Sequence, residues 1–573
     1  MTVSRHLRRA CATLMAGAVA TGLGAVAPAR ADEISADGAQ KLEQQVHDWL
    51  AALLGPLVPV GERPLHVTAE ADHYRVEAPF ADLLGSLGVT VQGAPVSAAL
   101  KPLAGGRWAI DDVRAPSPLT MSYALPGDGK GGDAPAEKLT ATIGSQHQHG
   151  VLDPSFATPS TMDGTIKGYT STIEGEKDLG KRTTSIDEIT YHLALDPVDG
   201  RLDVVEDTDS HLLASNTVVP NIGLASFSVE KMHGSLRLDG VAPDRVASLV
   251  HAAMELAPLG IAAAKQQQGA PDLQAIRTLA EQNRKAAADD RAAADADKQA
   301  VAEGRMTPAD RRKNTEARIA RAKERMKAMQ ALRAPNAAKP VLTGEQRTAM
   351  HDALVAVADL LQGFDQQVSM ENVHVVGAGY TGHLAKFATE LSVDAPAGKV
   401  TLHFHVGLDG LDSPDIPPGV FRDYLPRHIS ITPRIGGVPA AALHDLLLHA
   451  ADNPGDDPQM EAEAKSLLDK GPVVVGLEEL SLDFGPATLT GSGELRVIGT
   501  DQYDGDAQFK ATGLDDLIAQ ANTVPELKQA GPVLFLLKGM GKQDGDATVW
   551  NISYHDKKVL VNGNDLSAML PGK

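Results

Sequence analysis

Long runs in which apolar and polar residues alternate one by one narrow the folds open to this chain more than any other feature. "LHVTAEADHYRVEAP", "KLTATIG", "GTIKGYTSTIEG", "ITYHLALD" and "GRLDVVED" succeed one another between about residues 64 and 216. A period of two puts alternate side chains on opposite faces of an extended chain, so each run reads as a strand with one wet and one apolar face. Eight Asp-Gly dipeptides occur in the chain, among them Asp163-Gly164 and Asp199-Gly200, and most stand where a two-residue hairpin loop would join such runs. The pattern resumes after residue 363 in "VSMENVHVVGAG", "HLAKFATELSV", "KVTLHFHVGL", "GSGELRVIGT", "TVWNISYH" and "KVLVNG". The expected fold class is α+β and β-rich, with long antiparallel meander sheets.

Short helices punctuate the strands. Asp37 to Leu54 repeats Leu42, Val46, Leu50, Leu53 and Leu54 at mostly three- and four-residue steps, and Gly55-Pro56 ends it. A strand, a Gly or Pro corner and an apolar helix recur as a weak repeat in "GSLRLDGVAPDRVASLVHAAMEL", "HISITPRIGGVPAAALHDLLLHAA" and "AQFKATGLDDLIAQA". Clipped copies stand in "YRVEAPFADLLGSL" and "KVLVNGNDLSAML". The repeat predicts strand-corner helices that cover an otherwise wet apolar face. Gly344 to Gly363 adds another amphipathic helix.

Between the two β regions the composition changes. Pro271 to Arg333 is rich in Ala, Arg, Lys, Asp and Gln and nearly free of β-branched residues, which favours helix. Gly304 would stop one arm; Thr307 would cap the next, with Pro308 in its first turn and Asp310 at its third position. This is an inserted Ala-rich, charged helical hairpin. Its second arm, from Arg305 to Lys339, holds 11 basic and 3 acidic residues in a chain whose net charge is −21. Arg311, Arg312, Lys313, Arg318, Arg321, Lys323, Arg325 and Lys327 are therefore candidates to contact an acidic partner or anionic lipid headgroups. Pairing with the acidic arm is the plainer alternative.

The chain thus divides into 1–31, 32–62 with the N-terminal helix, 63–264 as a first β region, 265–343 as the hairpin, and 344–573 as a second β region. Residues 1–31 read as a secretory signal peptide. Arg5, Arg8 and Arg9 precede the apolar stretch Cys11 to Pro28, and Ala29-Arg30-Ala31 supplies small residues for cleavage before Asp32. The expected location is periplasmic, with no transmembrane segment in the mature chain. The single cysteine, Cys11, falls in that leader, which excludes disulfides and multi-Cys zinc sites from the mature chain. The acidic balance argues against nucleic acid as a partner.

Chemistry is harder to locate. His147-Gln148-His149 and His403-Phe404-His405 place pairs of imidazoles two residues apart, which would suit a metal if the two strands converged. Leu402, Phe404 and Val406 make the apolar face of the second strand, so His403 and His405 fall on its polar face. The first pair reads as the end of a strand beside a turn at Gly150. "DQYDGDAQ" and "KQDGDA" hold carboxylates near glycine but lack the ligand series of a calcium loop, and read as hairpin turns. No P-loop, dinucleotide fingerprint, nucleophile elbow or His-Glu-x-x-His helix occurs. No catalytic residue and no cofactor is expected, and the chain reads as a non-enzyme.

The segment Gly491 to Leu570 carries an ordered set of features. A strand closes on Gly, a second runs into Gly-Leu-Asp-Asp-Leu, an apolar helix follows, and a hairpin ends on Val-Asn-Gly. It resembles the end of the uncharacterised bacterial envelope proteins of the domain-of-unknown-function families 2125 and 945. The resemblance is one of fold pattern, and it implies no catalytic or binding residue. Three functions are open. The first is a periplasmic β-rich binding or scaffold protein that handles lipid or another apolar ligand. The second is a structural protein with a filled core that contacts an envelope protein through the hairpin; the third is a hydrolase with an unidentified carboxylate pair.

Overall fold

The computed structural model describes residues 34–54, 65–79, 89–124, 136–153, 159–174, 181–219, 223–242, short runs between 245 and 321, 344–360, 363–377, 380–416, 420–452, 462, 465–468, 471–499, 502–523, 531–555 and 558–566. The leader 1–31 lies outside the described residues, as do Lys323, Arg325 and Lys327. The chain forms two compact units: the hairpin lies in Leu256–Thr343, and the β body comprises Ala12–Glu255 and Gly344–Lys573.

The β body opens with helix α1 (Ala36–Leu54) and eight short strands. These are β1 (His66–Ala69), β2 (Tyr74–Ala78), β3 (Val89–Gln92), β4 (Val96–Pro102), β5 (Trp108–Arg114), β6 (Leu119–Ala124), β7 (Ala136–Thr142) and β8 (Ser145–Leu152). Four long strands follow, β9 (Thr161–Glu174), β10 (Lys181–Val198), β11 (Arg201–Val219) and β12 (Gly223–Val241). Helix α2 (Gly344–Leu360) leads into β13 (Gly363–Gly377), β14 (Tyr380–Asp394) and β15 (Lys399–Asp412). After α3 (Val420–Asp423) come β16 (His428–Pro439), α4 (Ala440–Asp452), β17 (Val473–Asp483), β18 (Thr488–Ile498) and β19 (Gln502–Thr512). The last elements are α5 (Leu514–Thr523), α6 (Gly531–Met540), β20 (Lys542–Asp544), β21 (Ala547–His555), β22 (Lys558–Val561) and β23 (Asn564–Asp565).

From β9 to β19 each strand pairs antiparallel with its sequence neighbours, and β19 then pairs with β21. At β9 the sheet forks: β8 pairs with its first half and β7 with its second. The two β regions expected from the sequence are thereby one sheet. Ser226 to Leu238 of β12 pairs with Val376 to Phe364 of β13 across the whole intervening insertion. Left apart, these strands would each expose a long unpaired edge; pairing satisfies both sets of backbone groups.

Asp199-Gly200, with φ of 51° and 78°, makes the two-residue loop between β10 and β11. "KQDGDA" is also a turn, joining β20 to β21. Two other Asp-Gly readings are corrected. Asp163-Gly164 lies inside β9 and Asp504-Gly505 inside β19. At Gly164 the reason is space, because a Cβ there would stand 2.3 Å from the Tyr191 ring on the neighbouring strand. Two copies of the strand–corner–helix repeat have the predicted geometry: Gly437 and Gly513 hold left-handed φ and lead into α4 and α5. Gly240 holds the same φ, but most residues of the helix expected after it, and 80–87 of the clipped copy that begins at Tyr74, lie outside the described residues. The clipped copy at the C-terminus differs, since Lys558–Val561 turns at Asn562-Gly563 into the short strand β23.

Packing is concentrated at the two ends. Leu42 and Val46 of α1 join Leu65, Leu100, Ile110, Leu152 and Met162 in a buried cluster that also takes in Tyr191 and Leu193 of β10. Leu195, Leu202, Val204, Leu238 and Val241 continue it as a second cluster. At the far end Ala511, Trp550 and Val561 pack with Phe509, Leu514 and Met540. Helices α2 and α4 pack on each other, on β12 and on β16 respectively.

One line crosses the strands. Gly168, Leu212, Asn372 and Gly410, on β9, β11, β13 and β15, have φ between 50° and 66°. Pairing keeps its register on both sides of this line, as Lys231↔Glu371 and Val229↔Val373 show around Asn372. The apolar phase nevertheless slips by one residue, from Met232 and Met370 on one side to Val229 and Val373 on the other. A left-handed residue inside a strand re-aims the side chains beyond it.

The hairpin unit has the cap the sequence predicts. Gly304 adopts φ 72°, and the Asp310 N–H donates to Thr307 Oγ1 at 3.2 Å. Its two arms are joined by charge: Arg318 Nη1 stands 2.8 Å from Asp297 Oδ2, and Arg321 Nη2 3.1 Å from Asp290 Oδ1.

Candidate ligand-binding face

Bulges shift the register between β11 and β12, β15 and β16, β16 and β17, and β17 and β18, yet the apolar sides of the strands from β9 to β19 still line up into rows that run across the sheet. One row comprises Leu195, Val204, Leu238, Phe364, Val393, Leu402, Ile435, Val475 and Leu495, each the ladder partner of the one before. Parallel rows pass through Phe404, Leu391 and Leu477, through Val368, Val406 and Ile431, and through Met370, Phe387 and Leu408. At about 4.8 Å between strands, the apolar face spans roughly 48 Å from β9 to β19.

The face is filled at its ends and partly open between them, where Val393 of β14 and Val400 of β15 are buried but larger neighbours are not. Leu195 and Val204 are buried at one end and Ala511 and Trp550 at the other, but Phe404, Ile435 and Val475 are 40%, 46% and 45% exposed. Small residues (Gly491, Gly493, Gly505 and Ala507) keep the surface low over β18 and β19. Through β9 to β19 these rows hold no Lys, Arg or Asp side chain.

One strand breaks the apolar character. Where its neighbours offer Leu193, Tyr191 and Ile189 or Leu236, Gly234 and Met232, β11 offers Glu206, Thr208 and Ser210. Glu206 keeps an exposed surface, but crowding by these neighbours, and secondarily the charge of Asp207, push its carboxyl above the ordinary glutamate range. Ser210 is 6% exposed and its hydroxyl has no hydrogen-bond partner among the described residues. Sequence reasoning missed this stripe. Its signal was the break in alternation at Val204-Val205-Glu206, legible only once the phase of β11 is known.

The opposite face carries histidines paired to carboxylates across the strands. His192 Nδ1 lies 2.7 Å from Asp163 Oδ1, His233 Nδ1 2.9 Å from Asp209, and His428 Nδ1 2.6 Å from Asp409. His555 contacts Asp504, a hydrogen bond that raises its pKa. His147 and His149 lie within β8, not at a turn, with ring centroids 5.6 Å apart; His149 Nε2 stands 3.9 Å from Asp163. They border a pocket of about 290 Å³ with Asp163, His192 and Asp209. His403 faces Glu478 at 3.3 Å, and His405 meets the Thr432 hydroxyl at 3.0 Å, on the polar face as the spacing predicts. The two His-x-His pairs do not converge, since six strands separate β8 from β15 in the ladder. Among the described residues no group of three His, Cys, Asp or Glu side chains could hold a metal ion.

The remaining candidates are more ordinary. Arg434 is tied to Glu494 at 2.6 Å and Glu478 at 3.5 Å, along a polar cleft of about 740 Å³ between β16 and β21. Of the basic-arm candidates, Arg318 and Arg321 are engaged by Asp297 and Asp290 inside the hairpin. Among the described residues no helix is long and apolar enough to cross a membrane.

Residues 330–555 match the sequence profile of a family described as an uncharacterized protein conserved in bacteria (DUF2125). The match takes in β13 to β21, less than half of the chain, and agrees with the resemblance carried by its C-terminal segment. No curated protein and no solved structure matches the chain.

Proposed function

Starting from a bacterial family profile with no chemistry attached, we propose that the chain is an exported, periplasmic, non-catalytic carrier whose apolar sheet face holds the alkyl chains of lipids. The observation that carries this reading is a long, largely apolar sheet face, filled at both ends, with large apolar side chains left exposed between them. Exposed side chains such as Phe404, Ile435 and Val475 stand in adjacent strands. Burying such a surface is worth about 25 cal/mol per Å². A contiguous exposed apolar patch marks a place where something binds. An alkyl chain suits it better than a folded partner, because the face offers rows of methyls and rings with almost no hydrogen-bonding group to orient a protein surface. The arginines and small residues of 1–31 support export.

Native mass spectrometry of the protein recovered from a bacterial periplasm without detergent tests the reading. Added mass of lipid size, and an N-terminus at Asp32, are expected. A bare chain that gains no thermal stability from added lipids would overturn the carrier reading. It would favour a scaffold in its place.

A further inference from the structure

The polar stripe on β11 specifies more than an apolar ligand. Across the rows of β9 to β19, Glu206 is the single carboxylate, and no ammonium or guanidinium accompanies it. Thr208 comes next on the same face, beside the Cβ-free position Gly234, where nothing stands nearer than 4.0 Å to an added Cβ. One strand over from Leu236, in the same row as Glu206, lies Gln366. Glu206, Thr208 and Gln366 have no hydrogen-bond or ion-pair partner among the described residues, and the stripe ends at the orphaned Ser210 hydroxyl. A group of hydrogen-bond acceptors without a cation, set where the filled end meets the open stretch, repels phosphate and carboxylate and receives donors.

We propose that Glu206 and Thr208 seat the polar end of the bound chain, and that this end is a hydrogen-bond donor without negative charge, an amine or a hydroxyl. This rests on the carrier reading above: the chain lies over the open stretch from β13 to β18, and the head stops at β11. Glu206 accepts from the head and Thr208 accepts or donates beside it. An anionic head would bring a second negative charge against a carboxylate with no counter-ion near.

Four probes of equal chain length separate the possibilities: dodecylamine, dodecanol, laurate and dodecyl phosphate, titrated at pH 7.5 into the full chain and into Glu206→Gln and Glu206→Leu. The wild type should bind the amine and the alcohol at least tenfold more tightly than the two anions. Glu206→Gln should keep the alcohol and lose most of the preference for the amine over laurate. Glu206→Leu should bind all four within about threefold of one another. Thermal unfolding of each variant confirms that the sheet is intact. If the chains bind the wild type without head preference, or the anions bind best, the head-group assignment is overturned while the carrier reading stands. If none of the four binds, both are overturned.

Discussion

Placing one charge in the middle of the apolar face separates an open binding surface from a packed core. Phe404 is 40% exposed, opposite Leu391 of β14. Full burial of a phenylalanine contributes about 1.5–3 kcal/mol. Three fifths of that, roughly 1–2 kcal/mol, is what Phe404→Asp should remove, because the new carboxylate keeps its contact with water. In a closed core the same change would exceed the ~3–5 kcal/mol of simple Phe truncation, since an unpaired charge would be desolvated as well. Chain binding should respond in the opposite proportion. A ligand that must avoid the carboxylate loses contact for two or three methylenes, about 0.8 kcal/mol each. That corresponds to roughly 15- to 60-fold in affinity. Urea unfolding followed by circular dichroism gives the first quantity, and displacement of a fluorescent long-chain probe the second. A loss above ~4 kcal/mol in stability with no probe binding to the wild type would refute the reasoning, because the face would then be an interior.

Three further outcomes rest on the packing and the charges. Leu100, 0% exposed in the N-terminal cluster, should cost about 2–5 kcal/mol when replaced by Ala, read from the unfolding midpoint. Glu206 has a raised pKa, so the native state holds its proton at pH values where the unfolded chain has lost it. The resulting penalty is absent below about pH 4 and grows as pH rises through the raised value. Glu206→Gln should therefore unfold at a higher temperature than the wild type at pH 7.5 and at about the same temperature at pH 4. In the hairpin, the hydrogen bond from Arg318 holds Asp297 below the usual aspartate range. That contribution is present above about pH 4 and lost as pH falls through the lowered value, so Arg318→Met should show a weaker acid-induced loss of helicity than the wild type.

The antiparallel strands, their faces and the capped hairpin were legible because each is written in local spacing: two for a strand, three to four for a helix, Gly304 and Thr307 at the break. Union of the two β regions was not, because pairing between β12 and β13 spans more than a hundred residues and leaves no mark on either strand. Asp163-Gly164 and Asp504-Gly505 misled for a related reason. A glycine chosen to admit Tyr191 from the next strand looks, in one dimension, like a glycine chosen to turn. The histidines were placed on the correct face of β15, but their carboxylate partners come from neighbouring strands, whose register no single stretch of sequence contains. The stripe on β11 depends on register in the same way.

Nearest-neighbour pairing along β9 to β19 has a consequence for how such a protein can change size. Within the sheet each strand pairs only with the two beside it, α2 and α4 reach across from β12 to β16, and the filled ends do not depend on how many strands lie between them. A duplicated hairpin inserted between β17 and β18 would add two strands, about 9.6 Å of surface, without disturbing either cluster. Deletion of one would shorten it by the same step. Capacity in this architecture is therefore counted in whole hairpins, and an odd insertion is forbidden because it would reverse every strand downstream.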